Sequence, residues 1–223
     1  MEAGVPFESV FFQREIADQK FLERISKKMP DTAFYTLSRE LFSKLSYRET
    51  TGGLIAVVKT EPKTLDSIKL PANPLVLIIE GVEKPGNLGA ILRTADAAAV
   101  DAVICCNLPS DIYNPNIVRA SLGTVFTVPL AISDNATAMA WLKKNKITTW
   151  CTNLHKAEDY HTKDYTRPTA IVMGTEATGV TEAWVEFANG SIKIPMLGKI
   201  DSMNVSVATA IAVYEARRQR LLK

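Results

Sequence analysis

The chain has 223 residues, of which 47% are hydrophobic and 22% charged, with a formal net charge of +2. These are the proportions of a globular protein of one or two domains. The mild positive charge permits a local nucleic-acid-binding patch without demanding one, and no apolar stretch reaches the length that spans a membrane. The opening MEAGVPFESVFF lacks a basic region followed by an apolar core, so no signal peptide is read there and a cytoplasmic location is expected. Residues 1–60 read as a small α/β unit. Ser9–Phe12 is a predicted strand, and it has no strand before it to pair with, so the unit looks incomplete. Ile16–Met29 carries apolar residues at helical spacing (Ile16, Phe21, Leu22, Ile25), and Ala33–Tyr35 is a second strand. Ser38 heads a helix with Leu41, Phe42 and Leu45 on one face, and Leu54–Val58 is a buried strand.

Residues 60–74, TEPKTLDSIKLPANP, are polar and proline-rich and read as a linker, so that the domain to follow runs over 75–223. From Leu75 strands alternate with helices, the signature of a parallel sheet. The predicted strands are Leu75–Glu80, Ala102–Cys106, Val125–Leu130, Ile147–Asn153, Ala170–Met173 and Ile192–Pro195. The predicted helices are Asn87–Ala99, one starting over Asn116–Leu122, Ala136–Lys144, Thr181–Ala188 and a long one after Ser202, capped by Ser202 or Asn204. The three cysteines, Cys105, Cys106 and Cys151, lack C-x-x-C spacing and read as buried reduced thiols, with no disulfide and no metal site. Two histidines, His155 and His161, leave few candidates for a histidine base.

Three stretches carry candidate chemistry. The first runs from Glu80 to Ala95, follows a buried strand and opens a helix, and so lies at the carboxyl edge of a sheet, where α/β folds bind ligands. Its glycines do not give G-x-G-x-x-G, and the next strand ends in Asn107 rather than an acid, which disfavours a nucleotide-dependent oxidoreductase. Arg93 lies among small and apolar residues, and on a buried helix it has to be paired, with Asp96 or Asp101, or face a ligand. Arg119 and Ser121, ahead of Gly123, are a second candidate for phosphate or sugar contact, with a helix C-cap at Gly123 as the alternative. In the third, Ile171–Val180, Gly174 allows close approach by a ligand and Glu176 places a carboxylate at the same edge. Asp201, Ser202, Asn204 and Ser206 cluster at the start of the last helix, where unpaired N–H groups suit polar ligands.

The order and wording of these stretches decide among the readings. Asn87, Gly89 and Arg93-Thr94-Ala95 come first, then Gly174-Thr175-Glu176 with Gly179, then Ile194-Pro195-Met196 with Ser202, Asn204 and Val205-Ser206-Val207-Ala208. Together they resemble the three motifs of the SpoU (TrmH-like) RNA 2′-O-ribose methyltransferases of the SPOUT superfamily, over roughly Leu75–Leu222. Residues 1–60 resemble the later part of the L30e-like RNA-binding domain that often precedes that catalytic domain. Its usual opening basic arm, helix and strand are missing from them.

The resemblance implies an α/β SPOUT domain with a parallel sheet and a deep C-terminal trefoil knot, preceded by a partial L30e-like domain. It implies transfer of a methyl group from S-adenosylmethionine to a ribose 2′-hydroxyl of RNA, ribosomal RNA being favoured over transfer RNA. The catalytic residues carried over are Asn87, Arg93, Glu176, Ser202 and Asn204. Cofactor contacts fall on Thr152, Asn153, Gly174, Ile194, Met196 and Met203, the last at a position more usually leucine. Arg119 and Ser121 are the weaker RNA-contact candidates. A homodimer is implied, with Arg93 of one copy reaching the cofactor site of the other. The alternative is a non-catalytic RNA-binding or ribosome-assembly protein of the same fold. The basic end, Arg217, Arg218 and Arg220, suits the helix dipole or RNA equally.

Overall fold

The computed structural model describes residues 3–46, 52–60, 63–154, 157–175 and 178–222. The chain divides into two compact units, Met1–Pro62 and Lys63–Lys223. In the first, β1 (Phe7–Phe12), α1 (Gln19–Lys28), β2 (Ala33–Thr36), α2 (Arg39–Leu45) and β3 (Leu54–Val58) follow one another. β1, which has no strand before it, is the central strand and takes both partners from the chain that follows, with β2 parallel on one side and β3 antiparallel on the other. Its Val10 packs with Leu22 and Ile25 of α1. The helix starts three residues later than its periodicity suggests, because the Asp18 carboxylate accepts from the amides of Lys20 and Phe21 and caps it there. Ile16 is left 52% exposed in the turn before the cap. Ser38 caps α2 as expected, but only Phe42 of its three apolar residues is buried. β3 is an edge strand, half-buried rather than buried.

The second unit begins earlier than the strands announce. Residues 63–74, expected as linker, belong to it: Leu65 is buried in a turn of 3₁₀ helix, and the Lys63 carbonyl accepts from the Ile132 amide. The elements that follow are β4 (Leu75–Glu80), α3 (Pro85–Ala97), β5 (Ala102–Cys106), α4 (Pro115–Ala120), β6 (Leu130–Ser133) and α5 (Asn135–Lys144). Then come β7 (Thr148–Thr152), β8 (Glu158–Asp159), β9 (Thr169–Met173), α6 (Glu182–Phe187), β10 (Gly190–Lys193) and α7 (Val205–Leu221). The strands form one sheet in the order β6-β5-β4-β9-β7-β10-β8, parallel throughout its pairings. Leu77 and Ile79 of β4 join the core under α3 and α7, and Val76 and Ile78 the core under α5 and α6. Each such side chain contributes about 1.5–3 kcal/mol by leaving water. Burial pushes the Cys105 thiol up to about 12 and raises those of Cys106 and Cys151, and all three are unpaired.

The strand predicted over Val125–Leu130 is displaced. α4 closes with Leu122 at φ +52° and Gly123 at φ +87°, the Gly123 amide reaching back to the Val118 carbonyl. The chain then makes a 3₁₀ turn at Thr124–Phe126, and β6 starts only after Pro129, whose carbonyl accepts from Val103.

The basic C-terminal end is structural. Arg217 donates to the Ala98 and Ala99 carbonyls at the end of α3. Arg220 donates to the carbonyls of Tyr165, Asn73, Pro74 and Arg167 at 2.7–3.0 Å. Arg218 pairs with Glu215, whose carboxyl that contact holds below its ordinary range. Replacing Arg220 by lysine keeps the charge and loses the planar fork. Arg220→Lys is expected to lower unfolding free energy by about 1–2 kcal/mol, seen as a lower urea midpoint at unchanged m value. An unchanged midpoint would show that charge alone is needed there.

Candidate functional site

The carboxyl ends of β7, β9 and β10 open into a cavity of about 370 Å³. Thr152 and Asn153 line it from the end of β7, and Met173 and Gly174 from the end of β9. Ile192, Lys193 and Ile194 contribute from β10, and the following loop adds Met196, Asp201, Ser202 and Met203. Val205 and Ala208 of α7 close the floor. The walls are thus apolar side chains, with strand ends and hydroxyl groups between them.

The wall beyond β9 is a tight turn. Thr175 and Gly179 exchange backbone hydrogen bonds at 3.0 and 3.1 Å, Gly179 sits at φ +67°, and the Thr175 hydroxyl accepts from the Thr178 amide. The turn folds back on Gly174 so closely that a Cβ there would lie 2.1 Å from the Gly179 carbonyl. The close approach expected at Gly174 is therefore made by the chain's own backbone. Glu176, expected to be catalytic, lies outside the described residues.

The turn is fastened from below by Glu80. This residue is 3% exposed at the end of β4. Its carboxylate accepts from the Thr181 amide at 2.8 Å, the Thr181 hydroxyl at 2.8 Å and the Asn135 side-chain amide at 2.5 Å. Sequence reading treated Glu80 only as the start of a motif. The signal for more was present, since an acid closing the run Leu75-Val76-Leu77-Ile78-Ile79 has to be partnered if buried.

On the opposite wall, Asn204 caps α7, its side-chain oxygen accepting from the Ser206 amide and hydroxyl at 3.0 and 2.6 Å. Its amide nitrogen donates to Asn87 Oδ1 at 3.0 Å. The starts of α3 and α7 are thereby joined across 117 residues. Ser202 is exposed and donates to Asp201.

The sequence candidates thus divide. Thr152, Asn153, Gly174, Ile194, Met196, Ser202 and Met203 surround one cavity, with Asn204 and Asn87 beside it. Arg93 is elsewhere: it is exposed on α3 and does not line the cavity, and among the described residues no hydrogen bond or ion pair engages it. The pairing considered with Asp101 is absent, that carboxylate accepting instead from the Leu75 amide. Arg119 is exposed on α4. Ser121 is fully buried and its hydroxyl donates to the Val118 carbonyl, so its expected RNA contact is corrected: it shapes the end of α4. Gly89, which the sequence reading left without a role, lets α3 and α4 touch, since a Cβ there would lie 2.4 Å from that of Ala120.

The family described as SpoU rRNA Methylase matches residues 74–214. The 23S rRNA (guanosine-2′-O-)-methyltransferase RlmB of Bordetella pertussis is 35% identical over 215 residues, 93% of this chain and 86% of that protein. The tRNA (guanosine(18)-2′-O)-methyltransferase of Thermus thermophilus is 42% identical over 149 residues, 66% of this chain and 76% of that protein. The crystal structure of the SpoU methyltransferase AviRb from Streptomyces viridochromogenes, in complex with AdoMet, aligns with a TM-score of 0.89 at 27% identity, covering 99% of this chain and 85% of that one.

Gly174→Ala is expected to push Gly179 and Val180 out of place. A loss of about 2 kcal/mol from overpacking corresponds to roughly 4–8 °C in melting temperature for a chain of this size. Gly86→Ala, where a Cβ meets open space, serves as the control and is expected to leave the transition where it is.

Proposed function

We propose, from the premise that this chain belongs to the SpoU rRNA methylase family, that the cavity at the ends of β7, β9 and β10 is its S-adenosylmethionine site. The protein is an S-adenosylmethionine-dependent RNA 2′-O-ribose methyltransferase, with relatives acting on both rRNA and tRNA. The non-catalytic alternative is not favoured by relatives that are themselves named as enzymes. The observation that carries the site is the convergence of Thr152, Asn153, Gly174, Ile194, Met196 and Met203, distant in sequence, on one cavity.

The cavity fits the cofactor. Its volume lies in the range of small-molecule sites, about 300–1,000 Å³. Met173, Ile192, Ile194, Met203, Val205 and Ala208 offer apolar surface for a purine, and strand-end amides and carbonyls offer polar partners. When bound, the cofactor would supply a sulfonium methyl group to the ribose 2′-oxygen and would leave as the neutral thioether, the hydroxyl proton passing to solvent water. Negative charge develops on that oxygen, and an arginine is suited to stabilise it. A guanidinium stays protonated at neutral pH and acts as donor, so Arg93 orients the target phosphate and ribose and stabilises the alkoxide. Asn87 and Asn204 hold the starts of α3 and α7 together beneath the substrate, with Ser202 at the cavity wall. Glu176 would complete the set.

Arg93 does not line its own chain's cavity, which supports an active site completed by a second copy. Val207 and Tyr214, 48% and 50% exposed and seven residues apart on α7, give that helix an apolar stripe suited to a homodimer. Such packing, and a C-terminal trefoil knot with Ile192–Arg218 as its last pass, belong to the same reading. The match to the 23S rRNA enzyme runs through the first unit while the tRNA enzyme matches only 66% of the chain, which favours ribosomal RNA. Residues 1–60 then serve as a partial L30e-like RNA-binding domain with Lys20, Arg24, Lys27 and Lys28 exposed on α1, and Arg119 adds an RNA contact on the second unit. Action on ribosomal RNA fits a cytoplasmic location.

Transfer of a tritiated methyl group to unmodified 23S rRNA tests the reaction, and mapping 2′-O-methyl sites with and without the gene identifies the nucleotide. Arg93→Ala is expected to lower turnover by about 100-fold or more while cofactor affinity by calorimetry stays the same. Full turnover in that variant would remove Arg93 from the reaction. Val207→Asp is expected to yield monomers by light scattering and to abolish methyl transfer. A fully active monomer would overturn the shared site.

A further inference from the structure

Glu80 stands apart from the residues discussed above, being buried, acidic and outside the cavity. β4 pairs with β9 so that Ile79 is level with Met173, which puts Glu80 beside the point where the chain leaves β9 at Gly174. The stretch that leaves there, 174–181, contributes Thr175, Thr178, Gly179 and Val180 to the cavity wall. One end of it is tied to the sheet by β9. The other end is Thr181.

Thr181 is the N-cap of α6, and a threonine there ordinarily turns its hydroxyl onto the helix's own first amides. Here the side chain makes no capping hydrogen bond. Both its amide and its hydroxyl donate to Glu80 instead. The helix start is thus fastened to the central strand rather than to itself. Asn135, at the first turn of α5, donates to the same carboxylate and lies 3.4 Å from the Thr181 hydroxyl. Gly81 leaves room for Thr175 to lie close against the end of β4, since a Cβ on it would come within 3.2 Å of the Thr175 methyl group. A carboxylate is the group that can take three donors at one point, and buried among neutral donors it makes hydrogen bonds stronger than a neutral acceptor would.

We propose that Glu80 is a positioning residue for cofactor binding: through Thr181 it fixes the wall of the cavity formed by Thr178, Gly179 and Val180 at the distance the cofactor requires. This inference rests on reading the cavity as the S-adenosylmethionine site. Glu80 touches neither reactant, so its effect falls on cofactor affinity rather than on the chemical step.

The test uses the full chain and four variants. In Glu80→Ala the dissociation constant for S-adenosylmethionine is expected to rise at least about tenfold, the scale of a lost hydrogen bond to a charged group. Thr181→Val keeps the shape and the amide, removes one donor at an exposed position, and is expected to raise it about threefold to tenfold. For both, KM for RNA and turnover at saturating cofactor are expected to stay near wild type, a split that simple loss of folded protein would not produce. In the double variant the Thr181→Val effect should vanish, because its acceptor is already gone. If Glu80→Ala fails to fold, Thr181→Val alone decides. Wild-type cofactor affinity in Thr181→Val overturns the proposal. Met203→Asp, which puts a charge into the cavity wall, separates the two levels of the argument: wild-type cofactor affinity in that variant would sink the cavity assignment itself, and this inference with it.

Discussion

Burial of β4 on both faces is the constraint from which the rest of the second unit follows. Six consecutive residues, Leu75–Glu80, are all buried, and the strand lies between β5 and β9 with helices above and below. A strand in that position can offer no polar side chain along its length without leaving it unpartnered. Polar work is confined to the carboxyl ends of the strands, where the chain turns out of the sheet. Glu80, Thr152, Gly174 and Lys193 all stand at such ends, and the loops that follow the last three line the cavity. The hydrogen bond between Asn87 and Asn204 repeats the logic on the helix side, joining two helix starts that the sheet has already brought to one edge.

How much of this was legible in the sequence depended on whether the cause was local. β4, β5 and β9 are apolar runs that declare themselves, and Ser38 and Asn204 are caps recognisable by residue type. The start of α1 was misplaced because apolar periodicity continues through Ile16, while Asp18 overrides it with two hydrogen bonds. The strand expected at Val125–Leu130 failed for a similar reason. β-branched composition pointed to extension, but the left-handed pair Leu122 and Gly123 committed the chain to a turn and Pro129 delayed the ladder. Residues 63–74 look like a linker by composition, and only the tertiary structure shows Leu65 buried and Lys63 bonded to β6.

The candidate site was legible as a set of residues through the family resemblance, not as a shape. Nothing in the spacing of Thr152, Gly174, Ile194 and Met203 states that they face one space. That follows from the order β9-β7-β10 in the sheet. The meaning of several residues changed once their surroundings were visible. Gly174 is small for the sake of its own turn. Ser121, a candidate for RNA contact, is turned inward onto a carbonyl. Arg217 and Arg220, which as a charge cluster suit a helix dipole or RNA equally, aim their donors at six backbone carbonyls, those of Ala98, Ala99, Asn73, Pro74, Tyr165 and Arg167. Arg93 shows the reverse, a lone charge with no such engagement among the described residues.

The strand order also bears on how the protein is made. β4 emerges from the ribosome early, yet one of its two neighbours is β9, whose first residue, Thr169, follows 94 residues after Leu75. Until then one edge of the most apolar strand in the chain stays open, an invitation to wrong partners. The cavity needs still more, because its floor comes from α7, which follows β9 in sequence. Arg220 of α7 then closes on Asn73 and Pro74 at the very entrance to β4. The first strand of this sheet in sequence order is therefore latched by the last helix of the unit, and loss of the end of α7 would leave every strand in place but remove the latch on β4.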